Sequence, residues 1–197
     1  MRTYGTYRNI RDLSWDCLLK HNIHSLPIDI LKIANGEDNV RVIKNSSVDI
    51  LTEKEDARSY FDGTVWYIIY DDTKPTEEKR YAVAHELGHY FLNHELKYVK
   101  YSHTQEIRST PAAEKQADMF AIRLLCPSCV LWKAGVYAPS DIAFYCKVPL
   151  EVAFERSERM KELRKRNAFL KSPLEQKVHH LFLPYINEIA PQKDKNE

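Results

Sequence analysis

The chain has 197 residues, 44% of them apolar, enough for one well-buried domain with an appendage and too few for two full-sized domains. Twenty-nine basic against twenty-eight acidic side chains leave a formal net charge of +1, which gives no reason to expect a polyanionic partner. Met1-Arg2-Thr3-Tyr4-Gly5 leads into mixed polar sequence without the apolar run of a secretory leader, and no stretch approaches membrane-spanning length. Four cysteines (Cys17, Cys126, Cys129, Cys146) are too few for a disulfide scaffold, so the expectation is a cytoplasmic protein, away from membranes, whose cysteines serve mainly in packing.

Ile10, Leu13, Cys17 and Leu18 or Leu19 recur at helical spacing, and a second short helix is expected over 28–33, closed by Asn35-Gly36. Val40, Val42 and Ile43 point to a strand. Asp62-Gly63 lies between Tyr60-Phe61 and the run Thr64-Val65-Trp66-Tyr67-Ile68-Ile69-Tyr70, which predicts a hairpin whose second arm is the strongest strand of the chain. Asp71 to Pro75 ends that strand. Thr76 is placed to cap a helix, and Glu77 and Glu78 suit the positive end of its dipole.

That helix is apolar nearly all round: Tyr81, Ala82, Val83, Ala84, Leu87, Phe91 and Leu92 leave no polar face, the pattern of a helix buried on most sides. Within it stands His85-Glu86-Leu87-Gly88-His89, the H-E-x-x-H arrangement. Four helical residues turn the chain by about 400°, so the two histidines share a face, with Glu86 set about 100° round beside them. Burying such side chains is costly without partners, and a zinc ion supplies one. The competing reading is a core helix with incidental histidines. Gly88 costs about 1 kcal/mol relative to alanine in mid-helix, and its small size lets another backbone approach closely.

A catalytic zinc needs a third protein ligand and an open position. His94 is one candidate, but the extended pattern H-E-x-x-H-x-x-G-x-x-H requires glycine at 92 and histidine at 95, where the chain has Leu92 and Glu95. On a continuous helix His94 would lie about 180° from His85 and point away, as a residue behind the ligands, at the rim or on the surface. Glu114 is the stronger choice. Pro111 opens a helix in which Glu114, Ala117, Asp118, Ala121, Leu124 and Leu125 form one stripe, expected to face the core. Glu114 on zinc and Asp118 on a ligand histidine would satisfy both carboxylates, since metal-bound imidazoles usually donate their other N–H to such a group. The alternative is that the two acids pair with Lys115 or Arg123 in solvent.

These residues resemble the ImmA/IrrE-type metallopeptidases, which combine an H-E-x-G-H helix with a later helix of pattern E-x-x-A-N/D-x-F-A-x-x-L-L-x-P. Here the second is Glu114-Lys115-Gln116-Ala117-Asp118-Met119-Phe120-Ala121-Ile122-Arg123-Leu124-Leu125-Cys126-Pro127, with Cys126 where methionine is usual. The resemblance covers residues 60–130 firmly, and 141–160 also look like the segment that often follows. It implies a cytosolic zinc peptidase with His85, His89 and Glu114 as ligands and Glu86 as catalytic base. It also implies a substrate: a helix-turn-helix transcriptional repressor, cleaved to derepress a mobile element or stress genes.

The expected fold is α+β: a minimal zincin-like domain over 1–137 with a small antiparallel or mixed sheet and an active-site helix, then a helical extension over 138–197. Residues 139–166 offer a short helix, a turn and a long helix resembling helix-turn-helix. The mixed charges of the long helix, Glu151 to Arg166, suit a solvated face that packs or binds a protein partner, so direct nucleic-acid binding is not expected. A last helix through Leu174, Val178, Leu181 and Phe182 is interrupted by Pro184. The exposed edge of Thr64–Tyr70 is expected to hold substrate by β-augmentation. Oxyanion donors are sought among His94, Tyr98, Tyr101, His103, His179 and His180. Cys126-Pro127-Ser128-Cys129 and the His21/His24 pair have metal-like spacing without supporting context. The function expected is zinc-dependent endopeptidase; the alternative is a non-cleaving, zinc-containing module that binds or senses a regulator.

Overall fold

Aromatic and β-branched side chains crowd Trp66-Tyr67-Ile68-Ile69-Tyr70, and this run forms the middle strand of a three-stranded sheet in a computed structural model that describes residues 3–94, 97–101, 104–108 and 110–190. The chain divides into two compact units, Met1–Leu13 with Ile30–Ala121, and Ser14–Asp29 with Ile122–Glu197. The architecture is α+β, as expected, and the sheet is mixed.

In the first unit, β1 (Val40–Lys44) runs parallel to β3 (Trp66–Tyr70), pairing Val40 with Trp66 and Lys44 with Tyr70. β2 (Ala57–Phe61) runs antiparallel to β3, pairing Ala57 with Tyr70 and Phe61 with Trp66. The hairpin is set by Asp62, whose carboxylate accepts from the backbone N–H groups of Thr64 and Val65 at 2.8 Å each, and by Gly63 at φ +101°. Thr64 and Val65 thus belong to the turn. Because β3 is bonded on both sides, the expected docking of substrate on its edge is overturned; the edge strands of this sheet are β1 and β2. A near-continuous apolar run is what a strand buried between two neighbours needs.

Helix α3 (Thr76–Phe91) packs on β2 and β3 and against α2 (Ile30–Asn35). Pro75 takes the N-cap position and Thr76 the first turn, so the cap expected of Thr76 is not formed. Ala82, Val83, Ala84, Leu87, Gly88 and His89 are buried. Full burial of a side chain such as Leu87 contributes about 1.5–3 kcal/mol. After α3 come β4 (Lys97–Tyr101) and β5 (Thr104–Arg108), an antiparallel pair, and then α4 (Pro111–Leu125). Thr110 begins α4, its hydroxyl accepting from the N–H of Ala113. In α1 (Thr3–Lys20), Ile10, Cys17 and Leu18 are buried as expected, whereas Leu13 is 39% exposed.

The second unit is helical. It contains α5 (Ser128–Ala134), α6 (Pro139–Cys146), α7 (Leu150–Lys165), α8 (Pro173–Leu181) and α9 (Leu183–Ile189). α6 and α7 pack together through a turn at Lys147, whose φ is +51°. α7 carries surface pairs Glu158–Lys161 and Glu162–Lys165, but Arg156 and Ser157 are buried, so that helix is not solvated all round.

Candidate metal centre

His85 and His89 leave α3 one turn apart, and α4 lies against that face of α3 at Gly88. A Cβ at position 88 would lie 3.0 Å from the Cα and from the carbonyl oxygen of Ala117, tighter than ordinary contact, so glycine suits this close approach of the two backbones. That contact brings the first turns of α4 within reach of both histidines. His85 Nε2 lies 3.0 Å from Glu114 Oε2, His89 Nε2 lies 3.6 Å from Glu114 Oε1, and the two Nε2 atoms are 3.1 Å apart. The donor atoms of His85, His89 and Glu114 all fall within 4.8 Å of one another. Among the described residues this is the one cluster of three or more His, Cys, Asp or Glu side chains able to hold an ion, and it includes neither His21 and His24 nor Cys126 and Cys129.

The donors fit a metal. Two imidazole nitrogens facing each other at 3.1 Å repel through their lone pairs unless a proton or a cation lies between them. Two imidazoles and one carboxylate that leave a position open are the donor set of a catalytic rather than a structural zinc site. Glu114 departs from expectation in one respect: its side chain is 48% exposed, as is that of Asp118, whereas Ala117, Ala121, Leu124 and Leu125 of the same stripe are buried. Lying in the first turns of α4, the two acids face His85 at the end of the stripe and not the core, so the cost expected for burying them is much reduced.

Asp118 Oδ1 is 2.8 Å from His85 Nδ1 and accepts the hydroxyl of Tyr81 at 3.0 Å. The bond with His85 holds the Asp118 carboxyl below the usual range despite partial burial. Burial works against a charge on His85, but the bond to Asp118 and the charges of Glu86, Asp118 and Glu114 outweigh it and raise its pKa. His89 is driven the other way, to about 3, by burial first and then by the charges of His85 and His94, so its ring is neutral and one nitrogen can act as a ligand.

Glu86 sits beside this cluster with its carboxyl pKa raised, chiefly by burial. Ser59 on β2 opposes that rise through its side chain and backbone. Ser59 is buried, and its Oγ accepts the indole N–H of Trp66 at 2.9 Å. Nothing local in the sequence marks Ser59; its place follows from the β2–β3 register and from α3 lying over the sheet. His94 takes the first of the places expected for it, behind the ligands, but by a turn of the chain and not along a continuing helix. α3 ends at Phe91, Asn93 takes φ +53°, and the His94 ring turns back onto His89, its Nδ1 at 3.1 Å from His89 Nδ1. Of the other oxyanion candidates, His179 and His180 are on α8 in the second unit, while His103 and the side chains of Tyr98 and Tyr101 lie outside the described residues.

A cation-ready triad of two helical imidazoles and a carboxylate, with a second carboxylate alongside, on a small α+β scaffold, defines a metallopeptidase-like domain. The chain belongs to the Peptidase_M78 family: the family's IrrE N-terminal-like domain matches residues 37–158, a span that contains Ser59, His85, Glu86, His89, His94, Glu114 and Asp118. Comparison with curated proteins found no match to the chain. Among the described residues, no helix is long and apolar enough to cross a membrane.

Proposed function

We propose that this protein is a cytoplasmic zinc-dependent endopeptidase that cuts a peptide bond in a helix-turn-helix transcriptional repressor. The observation that carries the chemistry is the convergence of His85, His89 and Glu114 on one point with Glu86 alongside. A purely structural metal site has no use for such a base. Zinc bound there supplies Lewis acidity toward water and toward a substrate carbonyl. Glu86 takes the proton of the attacking water and hands it to the departing amine, and Ser59 favours the ionised form of its carboxylate. Asp118 fixes the ring of His85 through Nδ1, leaving Nε2 for the ion. The repressor as substrate rests on family resemblance.

The test pairs the zinc-loaded protein and its Glu86→Gln variant with the repressor encoded beside its gene, reading cleavage by mass spectrometry and metal content by elemental analysis. The wild type is expected to cut while the variant retains stoichiometric zinc and does not. Equal turnover by both would remove Glu86 as base. Absence of cutting by both, with zinc bound, would favour a module that binds the regulator without cleaving it. Glu114→Ala is expected to lose zinc.

A further inference from the structure

We infer that His94 and Gln116 form a positioning relay behind His89 that fixes which of its ring nitrogens is offered to the metal. The inference rests on the metal-site reading above and adds to it two residues with no part in coordination. It starts from the end of α3. The N–H of His94 donates to the carbonyl of His89 at 3.0 Å and that of Asn93 to the carbonyl of Tyr90 at 3.0 Å, with Asn93 in the left-handed region at φ +53°. This pair of bonds is a Schellman closure, for which asparagine is one of the few suitable residues. Its effect is to fold His94 back over the last turn. The His89 and His94 rings lie 5.1 Å apart at 71° to each other.

The proton positions then follow from one choice. His89 Nε2 faces His85 Nε2 at 3.1 Å and Glu114 Oε1 at 3.6 Å, so a metal among them takes the Nε2 lone pair and leaves the ring proton on Nδ1. That N–H meets His94 Nδ1 at 3.1 Å, which must therefore accept. A neutral His94 accepting at Nδ1 carries its own proton on Nε2, and that atom lies 3.0 Å from Gln116 Oε1 on α4. Each of the two contacts in the row His89–His94–Gln116 thereby pairs one donor with one acceptor. The reverse direction, with the Gln116 amide donating to His94 Nε2, would put protons on both Nδ1 atoms facing each other at 3.1 Å. Coordination through His89 Nε2 and the relay thus require each other.

The same geometry removes His94 as a ligand of that ion, because it stands behind His89 on the Nδ1 side while Glu114 stands on the Nε2 side. It also explains why the two ligand histidines are held by different chemistry. His85 already has a carboxylate behind it, and Glu86 and Glu114 are close by. A further carboxylate behind His89 would add a fourth negative charge around the ion and weaken its Lewis acidity; a neutral imidazole backed by an amide orients the ring without adding charge.

The experiment measures zinc affinity by chelator competition and the His89 ring proton by nitrogen-15 NMR, for the full chain and the variants His94→Ala, His94→Gln, Gln116→Ala and the His94→Ala/Gln116→Ala pair. His94→Ala is expected to weaken zinc binding about 10- to 100-fold, the usual effect of losing the group behind a ligand histidine. His94→Gln, whose amide oxygen can accept from Nδ1–H, should recover most of it. Gln116→Ala should cost less, and the double variant should be no worse than His94→Ala alone, since the second link has no effect once the first is gone. In the zinc-loaded wild type the Nδ1 proton of His89 should be resolved and slow to exchange, and it should exchange fast in His94→Ala. Wild-type affinity in His94→Ala, or full additivity in the double variant, would overturn the relay. Should His94→Ala not fold, His94→Gln and Gln116→Ala decide the matter through the same proton signal. A wild type that binds no zinc would overturn the metal-site reading itself, a result visible before any variant is compared.

Discussion

Gly88 on α3 approaches Ala117 on α4 so closely that an added Cβ would lie 3.0 Å from the Cα and the carbonyl oxygen of Ala117. In isolation, Gly88→Ala favours a helix interior by about 1 kcal/mol. Here the atoms it would strike are backbone, which cannot swing aside as a side chain can, and such overpacking costs about 1–3 kcal/mol. The expected outcome is a net loss of stability of about 1 kcal/mol in thermal or denaturant unfolding. A second consequence is specific to the site. Pushing α4 off α3 separates Glu114 from His85 and His89, so zinc affinity should fall in the same variant, read by chelator competition. A variant that gains stability and keeps its affinity would show that the helices can part without cost.

The residues that the sequence revealed and those it hid differ in what fixes them. His85, Glu86 and His89 were legible because helical spacing alone places them on one face, and Glu114 and Asp118 because a stripe of period three and four carries them together. Gly88 could be read as a close-approach position, though not which backbone approaches. Ser59 was hidden, since only the β2–β3 register and the packing of α3 bring it to Glu86. His94 was expected behind the ligands, at the rim or on the surface, and takes the first of these, though not by the continuing helix assumed; Asn93, a residue tolerant of the left-handed region, was the available signal that the chain turns back there. The central position of Trp66–Tyr70 was not read, since the run was taken to offer an open edge; the signal was there, because a strand edge open to solvent seldom carries an unbroken apolar run.

Asp62 gives the hairpin a measurable pH signature. Its carboxylate accepts from the N–H groups of Thr64 and Val65 at 2.8 Å and from the Tyr67 hydroxyl at 3.1 Å, and these bonds, Val65's first and Thr64's next, hold its pKa below the ordinary value. A folded-state pKa below the unfolded one means the stabilisation is fully present above the unfolded value of about 3.9 and is lost as pH falls through the folded value. The melting temperature of Asp62→Ala should therefore sit below that of the wild type by a constant margin from neutral pH down to about 5, and the margin should close in stronger acid. A gap that stays the same at pH 2 would mean that the ionised carboxylate is not what holds the turn.

Cys126-Pro127-Ser128-Cys129 has the spacing of a redox pair, and the surroundings of Cys129 argue against that use. All four cysteines are buried and none is in a disulfide. The Cys129 thiol is pushed up to about 12, by burial first and then by the charge of Glu175, and the opposing pull of Arg156 is smaller than either. Nucleophilic attack and disulfide exchange need the thiolate, and a thiol with that pKa supplies on the order of one part in 100,000 at neutral pH. Iodoacetamide applied to the native protein should leave Cys129 unmodified by peptide mapping, while the same treatment in denaturant should label all four sites. Reaction at Cys129 tracks local or global opening in this picture, so its rate should follow denaturant concentration. Prompt labelling in the native state, rising tenfold per pH unit from neutrality, would instead identify an accessible thiol of ordinary acidity and return the pair to consideration as a redox site.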